Sequence, residues 1–155
     1  MDIQITPIGM IKTPFLHKEN CPIQGVYSPE SIGTVELYKE HEEGLKDIEL
    51  FSHIYLIYYF DQAGEIKYVR STFLDDEEHG IYASRHPCRP NGIGLSIVKL
   101  LERKENILTV SGIDTLDQTP LLDIKPYIPR HDYIDGASEG WITNLEFREK
   151  PTARE

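Results

Sequence analysis

From residue 52 to residue 60 the chain reads Ser-His-Ile-Tyr-Leu-Ile-Tyr-Tyr-Phe, an unbroken β-branched and aromatic run. That is the pattern of a strand buried on both faces, and the run is too short to cross a bilayer. Such a strand needs neighbours, and the sequence offers several. Residues 3–10 alternate loosely and 33–38 alternate cleanly between apolar and polar positions. Residues 66–73, 80–84, 94–101 and 107–113 follow in the same style, and 141–147 reads as a closing strand. Lys104-Glu105-Asn106 sits between two such runs as a hairpin turn. A single segment has a helical pattern: over 40–51, Leu45, Ile48 and Phe51 recur at three-residue spacing, although Gly44 weakens it. Short strands at close spacing with so little helix predict a mostly β fold, a small antiparallel β-barrel or compact sandwich with one short helix.

The chain has 155 residues, enough for one ordinary domain, expected over 1–150 with a frayed tail at 151–155 and no C-terminal extension. Sixteen Lys and Arg against 26 Asp and Glu give a formal charge of −10, a poor starting point for sequence-blind nucleic-acid binding, which runs on phosphate neutralisation. The window 79–101 is the local exception, because it contains no Asp or Glu. Cys21 and Cys88 cannot make a disulfide framework or a zinc knuckle, and the six histidines are scattered, so no metal is expected. Met1-Asp2-Ile3-Gln4 is not a signal-peptide start; a cytoplasmic protein with no membrane association is expected. Gly92-Ile93-Gly94 lacks the third glycine of a dinucleotide fingerprint and leads into a strand, and no phosphate-binding P-loop occurs.

Three stretches carry more chemistry than folding requires. Cys21-Pro22-Ile23-Gln24-Gly25 follows Thr13-Pro14-Phe15; the proline stiffens a loop and Gln24 offers an amide donor and acceptor. The stretch 83–96 interleaves Arg85, His86 and Arg89 with Pro87 and Pro90, then gives Asn91-Gly92-Ile93-Gly94. Arginines on a stiff loop suit planar anion recognition, and glycines let backbone approach a ligand. In the stretch 112–129, Asp117, Gln118 and Thr119 precede Pro120 in a turn able to bind the edge of a base. Asp123 and Lys125 straddle Ile124, so on an extended segment they share a face as an ion pair. Each stretch also reads as an ordinary loop, irregular turn or solvated pair. His53 reads as a core residue, while Asp61 ends the apolar strand, where sites gather.

Taken together, Ile8-Gly9-Met10-Ile11, Thr13-Pro14-Phe15, Pro22-Ile23-Gln24, Phe51-Ser52-His53-Ile54, the Arg-x-Pro-x-Arg-Pro-Asn-like stretch 84–96 and the Asp-x-Lys-Pro-Tyr stretch within 117–127 resemble the TsaA-like (VirR-like) family, in its order and over nearly the whole chain. The resemblance implies a small β-barrel that binds S-adenosylmethionine without a Rossmann fold, as a homodimer with sites near the subunit interface. It also implies a tRNA methyltransferase that acts on N6 of threonylcarbamoyladenosine, position 37 of the anticodon loop. Cofactor contacts carry over to Pro22, Ile23 and Gln24; Phe60 and Asp61; Arg85; Leu95; and Asp117, Gln118, Thr119 and Pro120. On this reading His86, Arg89, Asn91, Lys125 and Tyr127 meet the substrate, and Tyr58 or Tyr59 offers a ring face to the sulfonium. Asp61 and Asp117 are the candidates for a base that removes the nitrogen's proton.

The sequence departs from the family pattern at Asp61 and Cys88, where His is usual, and at Gln118, where Gly is usual. Longer bacterial members carry a further C-terminal domain, so RNA affinity is expected to need a contribution from elsewhere. Two other readings stay open at this stage: a methyltransferase of a different acceptor, and a non-enzymatic module that binds S-adenosylmethionine or another adenosine ligand.

Overall fold

The computed structural model describes residues 1–148, and the expected tail at 151–155 lies outside them. Its strands are β1 (Gly9–Lys12), β2 (Ile32–Leu37), β3 (His53–Tyr59), β4 (Val69–Ser71), β5 (Glu78–Gly80), β6 (Ile93–Lys104), β7 (Ile107–Ser111) and β8 (Thr119–Pro126). Six of them close into an antiparallel barrel in the order β1-β2-β7-β6-β3-β8, while β4 and β5 pair as a separate ribbon. The barrel, not the sandwich, is the fold; closure leaves no strand edge of the main sheet unpaired.

The core fills the barrel from alternate positions: Ile11 on β1, Val35 and Leu37 on β2, Ile54, Leu56 and Tyr58 on β3, Val98 on β6, Leu108 and Val110 on β7, and Leu121 on β8. The run 52–60 is therefore not buried on both faces. Its main neighbours, β6 and β8, lie in the same barrel wall, so only one face meets the core. Tyr55 and Ile57 point outward half-buried, and Tyr59 is exposed.

Two irregularities set the geometry. The β3–β8 pairing slips between Ile57 and Tyr58, which skips Leu122 and bends the strand end where the chain leaves the barrel toward Phe60. A second slip, between Leu100 and Glu102, flips the phase of β6. Past it Arg103 turns inward and donates from Nη1 to Leu45 O at 3.1 Å. The expected hairpin turn is confirmed: Lys104 pairs with Ile107, leaving Glu105 and Asn106 as the turn, and buried Asn106 donates to Leu37 O at 2.6 Å.

Other expectations need correction. The helix predicted over 40–51 is two 3₁₀ segments, Lys39–Leu45 and Ile48–Leu50, broken where Asp47 adopts φ 72°. A three-residue apolar spacing is the 3₁₀ period, which accounts for the misreading. The sole α-helical segment among the described residues is Pro129–Asp132. The strand expected at 3–10 is displaced to β1, and the one at 66–73 shrinks to β4. Residues 81–83 form a 3₁₀ turn after β5, and 141–147 contains a 3₁₀ turn, Gly140–Ile142, instead of a strand. Strand β8 was hidden in a stretch read as a turn, because Pro120 resembles punctuation; here it lies at the strand's beginning, where a missing N–H is tolerated.

Candidate active site

One cavity of about 920 Å³ opens beside the end of β3, within the size range of small-molecule sites. Its walls come from six places far apart in sequence: the β1–β2 loop, the end of β3, the β4–β5 loop at 72–74, the stretch 82–89, the start of β6 and the β7–β8 connection. Glu139, Trp141 and Ile142 complete the rim. Trp141 is fixed there by donating from Nε1 to Ala83 O at 2.7 Å and by stacking on His79 with centroids 3.7 Å apart.

Most of the residues expected to hold the cofactor meet in this cavity: Pro22, Ile23, Gln24, Phe60, Asp61, Arg85, Leu95 and Thr119. Two are bonded directly, since Arg85 Nη1 donates to Gln24 Oε1 at 2.9 Å across a separation of 61 residues. The arginine fork thus keeps further donors for an anion. Of the residues expected to meet the substrate, His86 and Arg89 also line the cavity. His86 is buried, with Nδ1 accepting the Cys88 N–H at 3.1 Å. Arg89 donates to Ser84 O at 2.8 Å and lies 6.0 Å from the centroid of the exposed Tyr82 ring.

The remaining expected residues lie elsewhere in the chain. Asp117 staples the β1–β2 loop: its Oδ1 accepts the Thr13 N–H at 3.0 Å and its own N–H donates to Phe15 O at 2.8 Å. Gln118 faces a small surface hollow with Met10, Lys12, Glu36 and Tyr38. Pro120 pairs with Met10 in the barrel, and Asn91 forms an exposed turn at φ 66°. Lys125 is exposed on β8, and Tyr127 directly follows the strand. Lys125 forms the expected ion pair with Asp123 at 3.0 Å, and Tyr127 packs on Tyr55 at 5.7 Å. Of the two tyrosines offered for a cation, Tyr58 lines the cavity and Tyr59 does not.

A buried polar chain beneath the cavity escaped the sequence reading. Tyr58 O–H and Ser96 Oγ lie 2.8 Å apart; Ser96 donates to Asp114 Oδ1, and Gly25 N–H donates to Asp114 Oδ2 at 3.0 Å. Since Ser96 gives its proton to the carboxylate, Tyr58 is the donor to Ser96. Burial pushes the Asp114 carboxyl above the usual range, against the pull of Ser96, Gly25 and Arg85, and burial likewise raises the Tyr58 phenol. Gly94 makes the chain possible, because a Cβ there would lie 2.2 Å from the Tyr58 ring. The room at Gly94 therefore serves a tyrosine, and Gly94 also lines the cavity. The signal available in sequence was an acid directly after the apolar 107–113 run.

Comparison with known proteins places this geometry. Residues 10–133 match the model of the tRNA-methyltransferase O N-terminal domain. A probable S-adenosyl-L-methionine-binding protein of Pyrococcus abyssi is 48% identical over 136 residues, covering 88% of this chain and 74% of its own. The mouse tRNA (adenine(37)-N6)-methyltransferase is 34% identical over 133 residues, 81% of this chain and 31% of its own. The crystal structure of TrmO from Pseudomonas aeruginosa superposes with a TM-score of 0.78 at 38% identity, covering 90% of this chain and 62% of that one. The chain thus spans less than two thirds of that structure and about a third of the mouse enzyme.

Proposed function

The chain belongs to the tRNA-methyltransferase O N-terminal domain family, and from that membership we propose that it transfers the methyl group of S-adenosylmethionine to tRNA, at N6 of threonylcarbamoyladenosine in position 37. The observation that carries the reading is the assembly of Gln24, Phe60, Asp61, Arg85 and Leu95 around one cavity. These residues fit the cofactor: Phe60 and Leu95 give apolar walls, Arg85 and Gln24 give anchors for a carboxylate or adenine edge, and the Tyr58 ring offers a π face.

A bound sulfonium supplies an already electrophilic methyl group, so the protein's work is placement. Gln24 and Arg85 brace each other and hold the β1–β2 loop against the stretch 82–89. Asp61 lines the cavity at the strand end and is the acceptor for the proton released from the attacking nitrogen. Asp117 is held to Thr13 and serves the loop. Tyr82 and Arg89 present an exposed ring and a guanidinium beside the mouth, suited to an unstacked base and its phosphate.

A homodimer belongs to the same reading. Ile93, Leu95 and Ile97 expose apolar side chains along the outer face of β6, beside Tyr59 of β3, and the first two also line the cavity. Lys125 pairs with Tyr55 on the neighbouring part of this wall, so a second copy seated there sets Lys125 and Tyr127 between the subunits.

The deciding experiment measures transfer of labelled methyl from S-adenosylmethionine to tRNA with and without threonylcarbamoyladenosine, followed by nucleoside identification. Label on that nucleoside alone is the expected result. Cofactor binding without label on either tRNA overturns the tRNA assignment.

A further inference from the structure

We infer that the Asp114 carboxylate is the counter-charge of the cavity, favouring a sulfonium ligand over its neutral thioether product; this rests on the cofactor reading above. Three acids line the cavity: Asp61, Asp114 and Glu139. Asp61 and Glu139 are exposed, so water and salt screen their charges. Asp114 is largely enclosed and held in place by three donors, the Ser96 hydroxyl, the Gly25 amide and its own backbone N–H, while its own carbonyl accepts the Cys21 thiol at 2.9 Å.

Three donors do not saturate a carboxylate, which offers about four lone-pair sites. A negative charge kept from water and only partly satisfied is costly, and a cation entering the cavity relieves that cost where a neutral ligand does not. The Arg85 guanidinium already offsets part of the Asp114 charge, and the remaining neighbours bring no further cation. Tyr58 and Ser96 donate along one chain, the Cys21 thiol meets the backbone carbonyl, and Arg85, whose charge reaches Asp114, has its Nη1 engaged with Gln24. The Tyr58 ring lines the same cavity and attracts the same cation. Substrate and product share adenosine, amine and carboxylate, differing in one methyl and one positive charge. A carboxylate that prefers the charged sulfur therefore helps release the product after transfer.

The ratio of the two affinities isolates this effect, since shared contacts cancel. Calorimetry on the full chain should show Asp114→Asn lowering the preference for S-adenosylmethionine over S-adenosylhomocysteine by about tenfold, with the homocysteine ligand affected about twofold or less. Equal weakening of both ligands would mean that Asp114 only clamps the Gly25 loop, and an unchanged ratio would mean that it senses no charge; either overturns the inference. Should the variant fail to fold, the Asp61→Asn/Glu139→Gln protein, in which Asp114 is the one acid left among the described residues lining the cavity, gives the same test by pH. The Tyr58 phenol, pushed up by burial, keeps its proton throughout, so the preference should fall as Asp114 takes up its own. A preference flat with pH overturns the inference. If the unmodified protein binds neither ligand, the cofactor reading fails and takes the inference with it.

Discussion

Gln118 sits at φ 65°, in the left-handed region, where a side chain costs about 1–2 kcal/mol. Its amide makes one long bond, 3.3 Å to Asp117, and otherwise faces the surface. The glycine usual in the resembled family removes that strain but adds about 0.5–1 kcal/mol of chain entropy to the unfolded state. Strain relief is the larger of the two. Gln118→Gly is therefore expected to raise the unfolding free energy by about 0.5–1 kcal/mol, read as a higher urea midpoint at unchanged slope. Asn91, at φ 66°, carries the same geometry with a residue that tolerates it. The visible work of Asn91 is thus turning the backbone into β6. At this scale the sequence showed which side chains are chemically able and not which are already engaged. Asp117 and Asp61 read alike as strings; one is tied to Thr13 and the other faces the cavity.

Between the strands, the cavity depends on how closely the β1–β2 loop approaches the β7–β8 connection. A Cβ on Gly25 would lie 1.9 Å from Gly112 O, a backbone atom that cannot rotate away. Gly25 N–H also anchors Asp114. Gly25→Ala is expected to cost at least about 2 kcal/mol in stability and to weaken cofactor affinity, since Gln24 moves with the loop. Thermal unfolding and calorimetry on the same preparation check both. The core-facing alternation was legible because period-2 patterning survives in 33–38 and 107–113, whereas the order in which the strands pair around the barrel was not. Strand β8 and the 3₁₀ segments were not legible either. Pro120 hides a strand, and an apolar three-residue spacing without its hydrogen bonds looks helical. Long-range pairings such as Arg85 with Gln24 leave no local pattern at all; for those residues only the family resemblance pointed to a shared site.

On the outside of the barrel, β6 carries apolar residues at positions that have no core to fill. Gly94, Ser96 and Val98 point inward, while Ile93, Leu95 and Ile97 are all more than 40% exposed on the opposite face. Over 93–98 the inner face brings Gly94, Ser96 and a lone aliphatic residue, Val98, to the core, so most of the apolar side chain of this stretch faces outward. Tyr59 extends the patch across the β3–β6 pairing, opposite Ile93. Contiguous apolar surface of this kind marks an interface, and its continuity with the cavity through Ile93 and Leu95 favours a second copy of the chain over an unrelated partner. Ile97 lies in the patch but not in the cavity, which makes it the clean probe. Ile97→Glu places a charge on each side of a two-fold contact, so the cost is counted twice and the two charges repel. Sedimentation velocity is expected to show the unmodified protein as a dimer and the variant as a folded monomer, with near-native thermal unfolding of the barrel. A monomeric mass for the unmodified protein at tens of micromolar (about the range that separates stable from transient pairs) overturns the dimer. If the site is shared between subunits, the variant also loses methyl transfer in proportion to its loss of dimer.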